Sequence, residues 1–169
     1  MSQLILKNYI NKLMNLMHCF QKENKITRNC IANCLYLFNK INNNYKDARP
    51  RVKAVICCDT KKFICVYHMV IIISDLIYDP SYETYSMKDK KYFCNINDFK
   101  NYFNKITKNR NDIPLTLEDG TELFNNERFK YSIEKIIKLT KIAERINNGE
   151  GIIATEGEKG YHEQADYIE

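Results

Sequence analysis

The stretch at residues 66–83, VYHMVIIISDLIYDPSYE, constrains the fold most, because it places a histidine and an aspartate within apolar sequence typical of β-strands. Ser74 and Asp75 separate its two apolar runs and suit a two-residue hairpin turn. The register of that turn pairs Ile73 with Leu76, Ile71 with Tyr78 and Val70 with Asp79. His68 then lies one diagonal step from Asp79 on the same face. The imidazole and the carboxylate are therefore predicted to meet, as in a nucleophile–His–Asp site.

The seven cysteines are the candidate nucleophiles for such a site. A thiol attacks as its thiolate, which a helix N-terminus and a nearby imidazolium both favour. Cys30 has the first feature, because it follows Asn29, a suitable N-cap, at the start of a predicted helix. Cys34 lies deeper in the apolar stripe, and Cys65 points away from His68 because it lies three positions before it on the same strand. The second choice is Cys57 or Cys58 in the preceding strand, while Cys19 and Cys94 have no visible activating neighbour.

Hydrophobic periodicity predicts the remaining elements. Helices are expected over residues 4–21, from Cys30 to the asparagine run at residues 42–44, around residues 99–106, and over residues 126–147, where Gly149 follows as a stop. The last helix is expected to bury Phe129, Ile133, Ile136, Ile137, Thr140 and Ala143. Strands are expected over residues 52–58, 63–73 and 76–79, with a more exposed strand within residues 82–93 and a loop around Pro114. This order indicates an α+β class, in which the helix beginning at Cys30 packs against an antiparallel sheet.

The length and the charge suggest one domain with a tail. Residues 1–149 are assigned to a single domain, followed by an acidic, loosely held tail at residues 150–169. The tail holds six of the 21 acidic residues and one of the 26 basic residues, so the body has 25 basic and 15 acidic groups, a charge of about +10. Such a body suits an acidic partner or a nucleic acid. The lysines are dispersed, however, which favours an ordinary solvated surface.

The composition also bears on the compartment and on bound groups. An odd number of cysteines without a regular framework favours a reduced cytoplasmic protein, and a Lys-, Asn- and Ile-rich chain suits an AT-rich genome, such as that of a large DNA virus in its host cell. No C-x-x-C pair is present and the three histidines are scattered, so a metal site is not expected. No cofactor is expected either. No apolar run reaches the roughly 20 residues of a membrane span, and no secretory signal is apparent.

Two further clusters are expected to be structural. Acidic residues expected to be solvated in a turn-rich loop are Asp112, Glu118, Asp119 and Glu122. The aromatic and lysine-rich run from Tyr82 to Phe93 is typical of a sheet edge that lysines protect from further pairing. Neither cluster is therefore expected to carry the chemistry of the chain.

Three motifs in order, RNCIANCLYLF with Cys30, VYHMVII with His68 and IYDPSYE with Asp79, resemble papain-like cysteine enzymes of the transglutaminase-like branch. Those enzymes place a cysteine at the start of a buried helix, then a histidine on an antiparallel sheet, then an aspartate that often precedes a proline. The likeness covers residues 27–85, and Asp79 followed by Pro80 is its most specific element. The chain lacks the glycine or tryptophan that often flanks the cysteine.

The resemblance implies a papain/transglutaminase-like core and a thiol protease, isopeptidase or transglutaminase-like activity on a protein or peptide. Cys30 would attack an amide carbonyl, His68 would serve as base and then acid, and Asp79 would orient His68. Gln21 and Asn29 are candidates to stabilise the oxyanion, beside the backbone amide of Cys30. Two alternatives stay open: an inactive protein-interaction module with the same fold, and a basic nucleic-acid-binding domain. Each residue of the three also has an ordinary structural role, as a small buried thiol, a core histidine or a turn-opening aspartate.

Overall fold

The computed structural model describes residues 3–26, 29–59, 64–74, 76–81, 92–93, 112–115 and 130–150. The helices are α1 (Gln3–Glu23), α2 (Cys30–Asn44) and α3 (Lys130–Asn147), with a 3-10 turn at Lys46–Ala48. The strands are β1 (Arg51–Asp59), β2 (Ile64–Ile73), β3 (Leu76–Tyr78), β4 (Tyr92–Phe93) and β5 (Asp112–Leu115). Within the described residues they form one antiparallel sheet in the order β4-β3-β2-β1-β5. The predicted α+β class is confirmed.

The hairpin between β2 and β3 has the predicted register. Ile73 pairs with Leu76 and Ile71 with Tyr78, and the ladder ends there, one residue short of the predicted pair between Val70 and Asp79. Ser74 has a left-handed backbone with φ of 53°, which a tight two-residue turn of this kind requires. A turn of fixed length therefore determines which face of the hairpin each side chain occupies.

The sheet has an edge strand that the sequence pattern does not predict. Residues 112–115, expected in a loop because of Pro114, instead form β5 and pair with the second half of β1. Proline lacks an N–H group, so it is tolerated on an edge strand, where one side of the backbone has no neighbour to bond. Asp112 begins this strand opposite Asp59, so its assignment to a turn-rich loop is wrong.

Two helices cover the hairpin and enclose most of the core. The apolar stripe of α1 is buried as predicted, at Leu6, Ile10, Leu13, Met14, Met17 and Phe20. The stripe of α2 is buried as well, at Ile31, Cys34, Leu35, Phe38 and Ile41. Residues of both stripes belong to one buried cluster with Met69, Val70, Ile71 and Ile73 of β2. Because each fully buried large apolar side chain contributes about 1.5–3 kcal/mol, this cluster holds the start of α2 against the sheet.

The third helix packs mainly on β1. Of its predicted buried face, Phe129 and the side chain of Ile133 lie outside the described residues, and Ile137 is half-buried. Ile136 and Ala143 are buried as expected, but Ile142 and Ile146 complete the stripe, and Thr140 is only half-buried. The end of the helix is hydrogen-bonded to β1. Its Asn147 accepts a hydrogen bond of 2.7 Å from the backbone N–H of Val52 on β1 and donates one of 3.0 Å to the same residue's carbonyl.

Gly149 ends α3 as predicted. Its φ of +78° is a left-handed conformation that glycine adopts without a steric penalty. The amide of Glu150 donates to the carbonyl of Arg145, and the amide of Gly149 donates to that of Ile146, so the last turn is closed. Among the residues described, no helix combines the length and the hydropathy needed to cross a membrane.

Several predicted features lie outside the described residues. They are the helix around residues 99–106, the first turn of the helix expected from residue 126, most of the run at residues 82–93, the acids Glu118, Asp119 and Glu122, and the acidic tail beyond Glu150.

Candidate active site

The imidazole of His68 and the carboxylate of Asp79 meet in the interior of the protein. His68 lies on β2 and Asp79 directly follows β3, so the tight hairpin brings both to one face. Nε2 of His68 lies 3.0 Å from Oδ1 of Asp79, and both side chains are fully buried. The same oxygen accepts a hydrogen bond of 2.9 Å from the backbone N–H of Ser81, which fixes the carboxylate relative to its own loop. The predicted diagonal contact is present.

Cys30 is the first residue of α2, as the sequence predicts. Its side chain is half-buried, whereas Cys34, one turn further along the helix, is fully buried. A hydrogen bond joins the Cys30 thiol to the imidazole of His68. Nε2 of the same ring faces Asp79. The fold thus brings together a helix start, a central strand and a strand end, and it leaves the thiol partly accessible. Cys30, His68 and Asp79 are called the candidate triad below.

Opposing effects set the pKa of His68. Burial disfavours the imidazolium and lowers the pKa, but the charge of Asp79, the hydrogen bonds to Asp79 and Cys30, and the charge of Cys30 outweigh it. The pKa of His68 therefore rises from 6.5 to about 10. At neutral pH the ring is an imidazolium between the carboxylate and the sulfur. An imidazolium in this position favours the thiolate of its cysteine neighbour.

The raised pKa of His68 predicts a loss of stability at alkaline pH. The folded chain binds the proton more tightly than the unfolded chain, so the stabilisation is complete below about pH 6.5 and disappears as the pH rises towards 10. We expect the free energy of unfolding to fall by a few kcal/mol between pH 7 and pH 10, since one pKa unit corresponds to about 1.4 kcal/mol. Chemical denaturation at several pH values measures this change in the free energy of unfolding.

The matched control for this pH dependence is the double variant His68→Gln/Asp79→Asn, which removes both charges and keeps two polar side chains of similar size. Its unfolding free energy is expected to vary much less over the same range. Parallel pH curves for the wild-type protein and the double variant would show that His68 is not the group responsible.

The two oxyanion candidates have other observed roles. Asn29 is the N-cap of α2 by position, but its side chain makes no capping hydrogen bond, so the predicted capping is wrong. Its backbone carbonyl accepts a hydrogen bond from the amide of Asn33. Gln21 is buried on α1 and donates through Nε2 to Oδ1 of Asn33. Both residues lie near the start of α2, and their role towards an oxyanion stays a prediction.

A buried polar cluster behind the triad was missed by the sequence reasoning. Asn33 on α2 donates to Oγ of Ser81 at 2.7 Å, and His18 on α1 contacts the carbonyl of Pro80 through Nε2 at 2.8 Å. The available signal was a set of polar residues within the apolar stripes of α1 and α2. Each of these polar residues, considered alone, is compatible with an ordinary structural role. The structure shows that they converge on the loop of Asp79.

The other cysteines are less suited to the triad. Cys19 is exposed on α1, and Cys34 is enclosed in the core. Cys57 and Cys58 lie on β1 and Cys65 lies on β2, but their side chains are outside the described part of the structure, as is Cys94. In the part of the chain that is described, no three residues of the His, Cys, Asp or Glu type are grouped to hold a metal ion.

Comparisons of the chain with protein-family models, with curated proteins and with solved structures gave no match. The chemistry of this site is therefore inferred from its own geometry.

Proposed function

We propose that the protein is a cysteine-dependent acyl-transfer enzyme, a thiol hydrolase or transferase, built on a papain/transglutaminase-like core. The observation that carries the proposal is the ion pair between His68 and Asp79, at 3.0 Å and fully buried, with the partly accessible Cys30 bonded to the same imidazole. Burying a charged pair is costly. A histidine needed only for packing would not require a carboxylate on one side and a thiol on the other.

The reaction follows from the protonation state of the pair. The Cys30 thiolate attacks the carbonyl carbon of an amide, and a carbon–sulfur bond forms as the carbonyl oxygen takes the negative charge. The imidazolium of His68 gives its proton to the amine nitrogen, the carbon–nitrogen bond breaks, and a thioester remains on Cys30. Water or a second amine then loses a proton to His68 and displaces the sulfur. Asp79 holds the ring in place throughout.

The start of α2 offers electrostatic support for the same step. The backbone amides of a first helical turn point out of the helix and carry partial positive charge. Cys30 is the first residue of that turn, so both its thiolate and the developing oxyanion lie near these donors. This arrangement favours a charged nucleophile without any metal ligand.

Acylation by an activated ester tests the proposal. With p-nitrophenyl acetate we expect a burst of p-nitrophenolate and an acetyl group on Cys30, mapped by peptide mass spectrometry. The burst should disappear in Cys30→Ala and persist in Cys19→Ala, which removes an exposed thiol on α1. Acetylation that is no faster at Cys30 than at Cys19 would contradict the proposal.

Nucleic-acid binding is a second candidate function, supported by a groove of about 520 Å³ between β1 and α3. Three cationic side chains, Arg49, Arg51 and Lys53, line it and are exposed. If this function holds, a single-stranded oligonucleotide should bind with an affinity that falls steeply with salt and that Arg51→Glu reduces. Lys141→Glu, at another exposed position, is the control. Binding that is insensitive to salt would argue against this second function.

A further inference from the structure

The three residues that follow β3, Asp79, Pro80 and Ser81, form a loop that is buried at every position. The amide of Ser81 donates to Oδ1 of Asp79 at 2.9 Å, so the position of the carboxylate depends on the conformation of the loop. That same oxygen is the one 3.0 Å from Nε2 of His68. Whatever holds this loop therefore also sets the distance between the carboxylate and the imidazole.

Asn33 on α2 holds the loop from one side. Its Nδ2 donates to Oγ of Ser81 at 2.7 Å and lies 3.4 Å from the carbonyl oxygen of Pro80. The residue is fully buried. Asn33 and Cys30 are three residues apart on the helix, so they lie on neighbouring positions of the same side. One helix thus carries both the candidate nucleophile and the group that binds the loop of Asp79.

Two residues of α1 also contact Asn33 and the loop of Asp79. Gln21 donates from Nε2 to Oδ1 of Asn33, which turns the Nδ2 end of that amide towards the loop. His18 contacts the carbonyl oxygen of Pro80 through Nε2 at 2.8 Å. Both are buried on the apolar stripe of their helix. Two helices and one loop therefore share a continuous set of buried hydrogen bonds.

Polar side chains in such places are costly unless every group is bonded, and apolar side chains would bury at lower cost. Here Asn33 and His18 bond the loop directly, and Gln21 bonds Asn33. That loop carries Asp79, which forms the ion pair with His68. We infer that Asn33 is a positioning residue for the candidate triad, supported by Gln21 and His18, and that it fixes the carboxylate of Asp79 against the imidazole. This inference rests on the proposed function for its role in catalysis, but the positioning itself is measurable without a substrate.

The test uses Asn33→Ala, Ser81→Ala, their double variant and Ser81→Thr. Iodoacetamide is the probe, and the rate at Cys30 is compared with the rate at Cys19 in the same molecule. We expect Asn33→Ala and Ser81→Ala each to lower the Cys30 rate at pH 6.5 by about tenfold, the effect of one lost buried hydrogen bond. The double variant should lose little more than either single variant, and Ser81→Thr, which keeps the hydroxyl, should retain the wild-type rate.

The second readout is the NMR titration of the His68 ring, which does not depend on any reactivity of Cys30. In Asn33→Ala the pKa of His68 should move down towards the value measured in Asp79→Asn. The control is Asn44→Ala on the same helix, whose side chain bonds Tyr9 and the carbonyl of Lys40 far from the loop. It should leave both the His68 titration and the Cys30 rate unchanged.

The outcomes distinguish the positioning role of Asn33 from the proposed function of the candidate triad. If Asn33→Ala and Ser81→Ala lower the free energy of unfolding but leave the titration of His68 and the pH profile of Cys30 at their wild-type form, the residues are only structural and the inference is overturned. If the titration shifts as expected but wild-type Cys30 reacts no faster than Cys19, the positioning stands and the proposed function fails. If Asn33→Ala does not fold, Ser81→Ala tests the inference through the same two measurements, the His68 titration and the Cys30 alkylation rate.

Discussion

Replacing His68 by glutamine is expected to slow the alkylation of Cys30 at pH 6 by roughly a hundredfold. An ordinary thiol with a pKa of about 8.5 is less than about 1% ionised at that pH, whereas a cysteine beside an imidazolium is held as thiolate. The pKa of His68, about 10, keeps the ring charged at pH 6, and glutamine cannot carry that charge. The rate is measured with iodoacetamide and assigned to individual cysteines by mass spectrometry.

Cys19 provides the internal control for this experiment, because it is exposed on α1 and is labelled in the same sample. Its rate should be the same in the wild-type protein and in His68→Gln. A variant that was simply unfolded would label the core residue Cys34 as well, so labelling of Cys34 reports on folding. Equal Cys30 rates in the two proteins at pH 6 would mean that His68 does not activate the thiol.

Replacing Asp79 by asparagine is expected to lower the free energy of unfolding at pH 6 by about 3–5 kcal/mol. The change keeps the size of the side chain and an oxygen for the Ser81 amide, but it leaves a buried imidazolium without its counter-charge. With the carboxylate gone, burial becomes the dominant influence, and the pKa of His68 should fall well below its wild-type value of about 10. Denaturant unfolding and NMR titration of the ring measure the two effects.

The control for Asp79→Asn is Asp47→Asn, which changes an exposed aspartate in the 3-10 turn at Lys46–Ala48. A surface substitution of this kind usually changes stability by less than about 0.5 kcal/mol. At pH 10 the cost of Asp79→Asn should be smaller, because about half of the wild-type imidazole is then neutral. If His68 titrates with the same pKa in both the wild-type protein and Asp79→Asn, Asp79 does not stabilise the imidazolium.

The parts of the fold that the sequence predicts are those governed by local rules. The pairing of Ile73 with Leu76 follows from a two-residue turn and the two-residue period of a strand, and the contact between His68 and Asp79 follows from that register. The start of α2 at Cys30 follows from a helical stripe preceded by a capping-type residue. These local rules are sufficient to name the candidate triad from the sequence.

The parts that could not be predicted depend on contacts between residues far apart in the chain. Strand β5 pairs with the second half of β1, and no local pattern around Pro114 reports that partner. The end of α3 is attached to β1 through Asn147, which bonds the backbone of Val52, 95 residues earlier. The hydrogen bonds from Asn33 to the loop of Asp79 join residues 48 positions apart. Hydrophobic periodicity carries no information about such partners.

The central claim is that Cys30 and His68 form a thiolate–imidazolium pair that Asp79 stabilises. The most direct test is the ratio of the iodoacetamide rate at Cys30 to that at Cys19 in the wild-type protein, measured from pH 5 to pH 9. A thiolate held by a buried imidazolium with a pKa of about 10 predicts that this ratio rises steadily as the pH is lowered from 8 to 6. A ratio that stays constant over that range would contradict the claim.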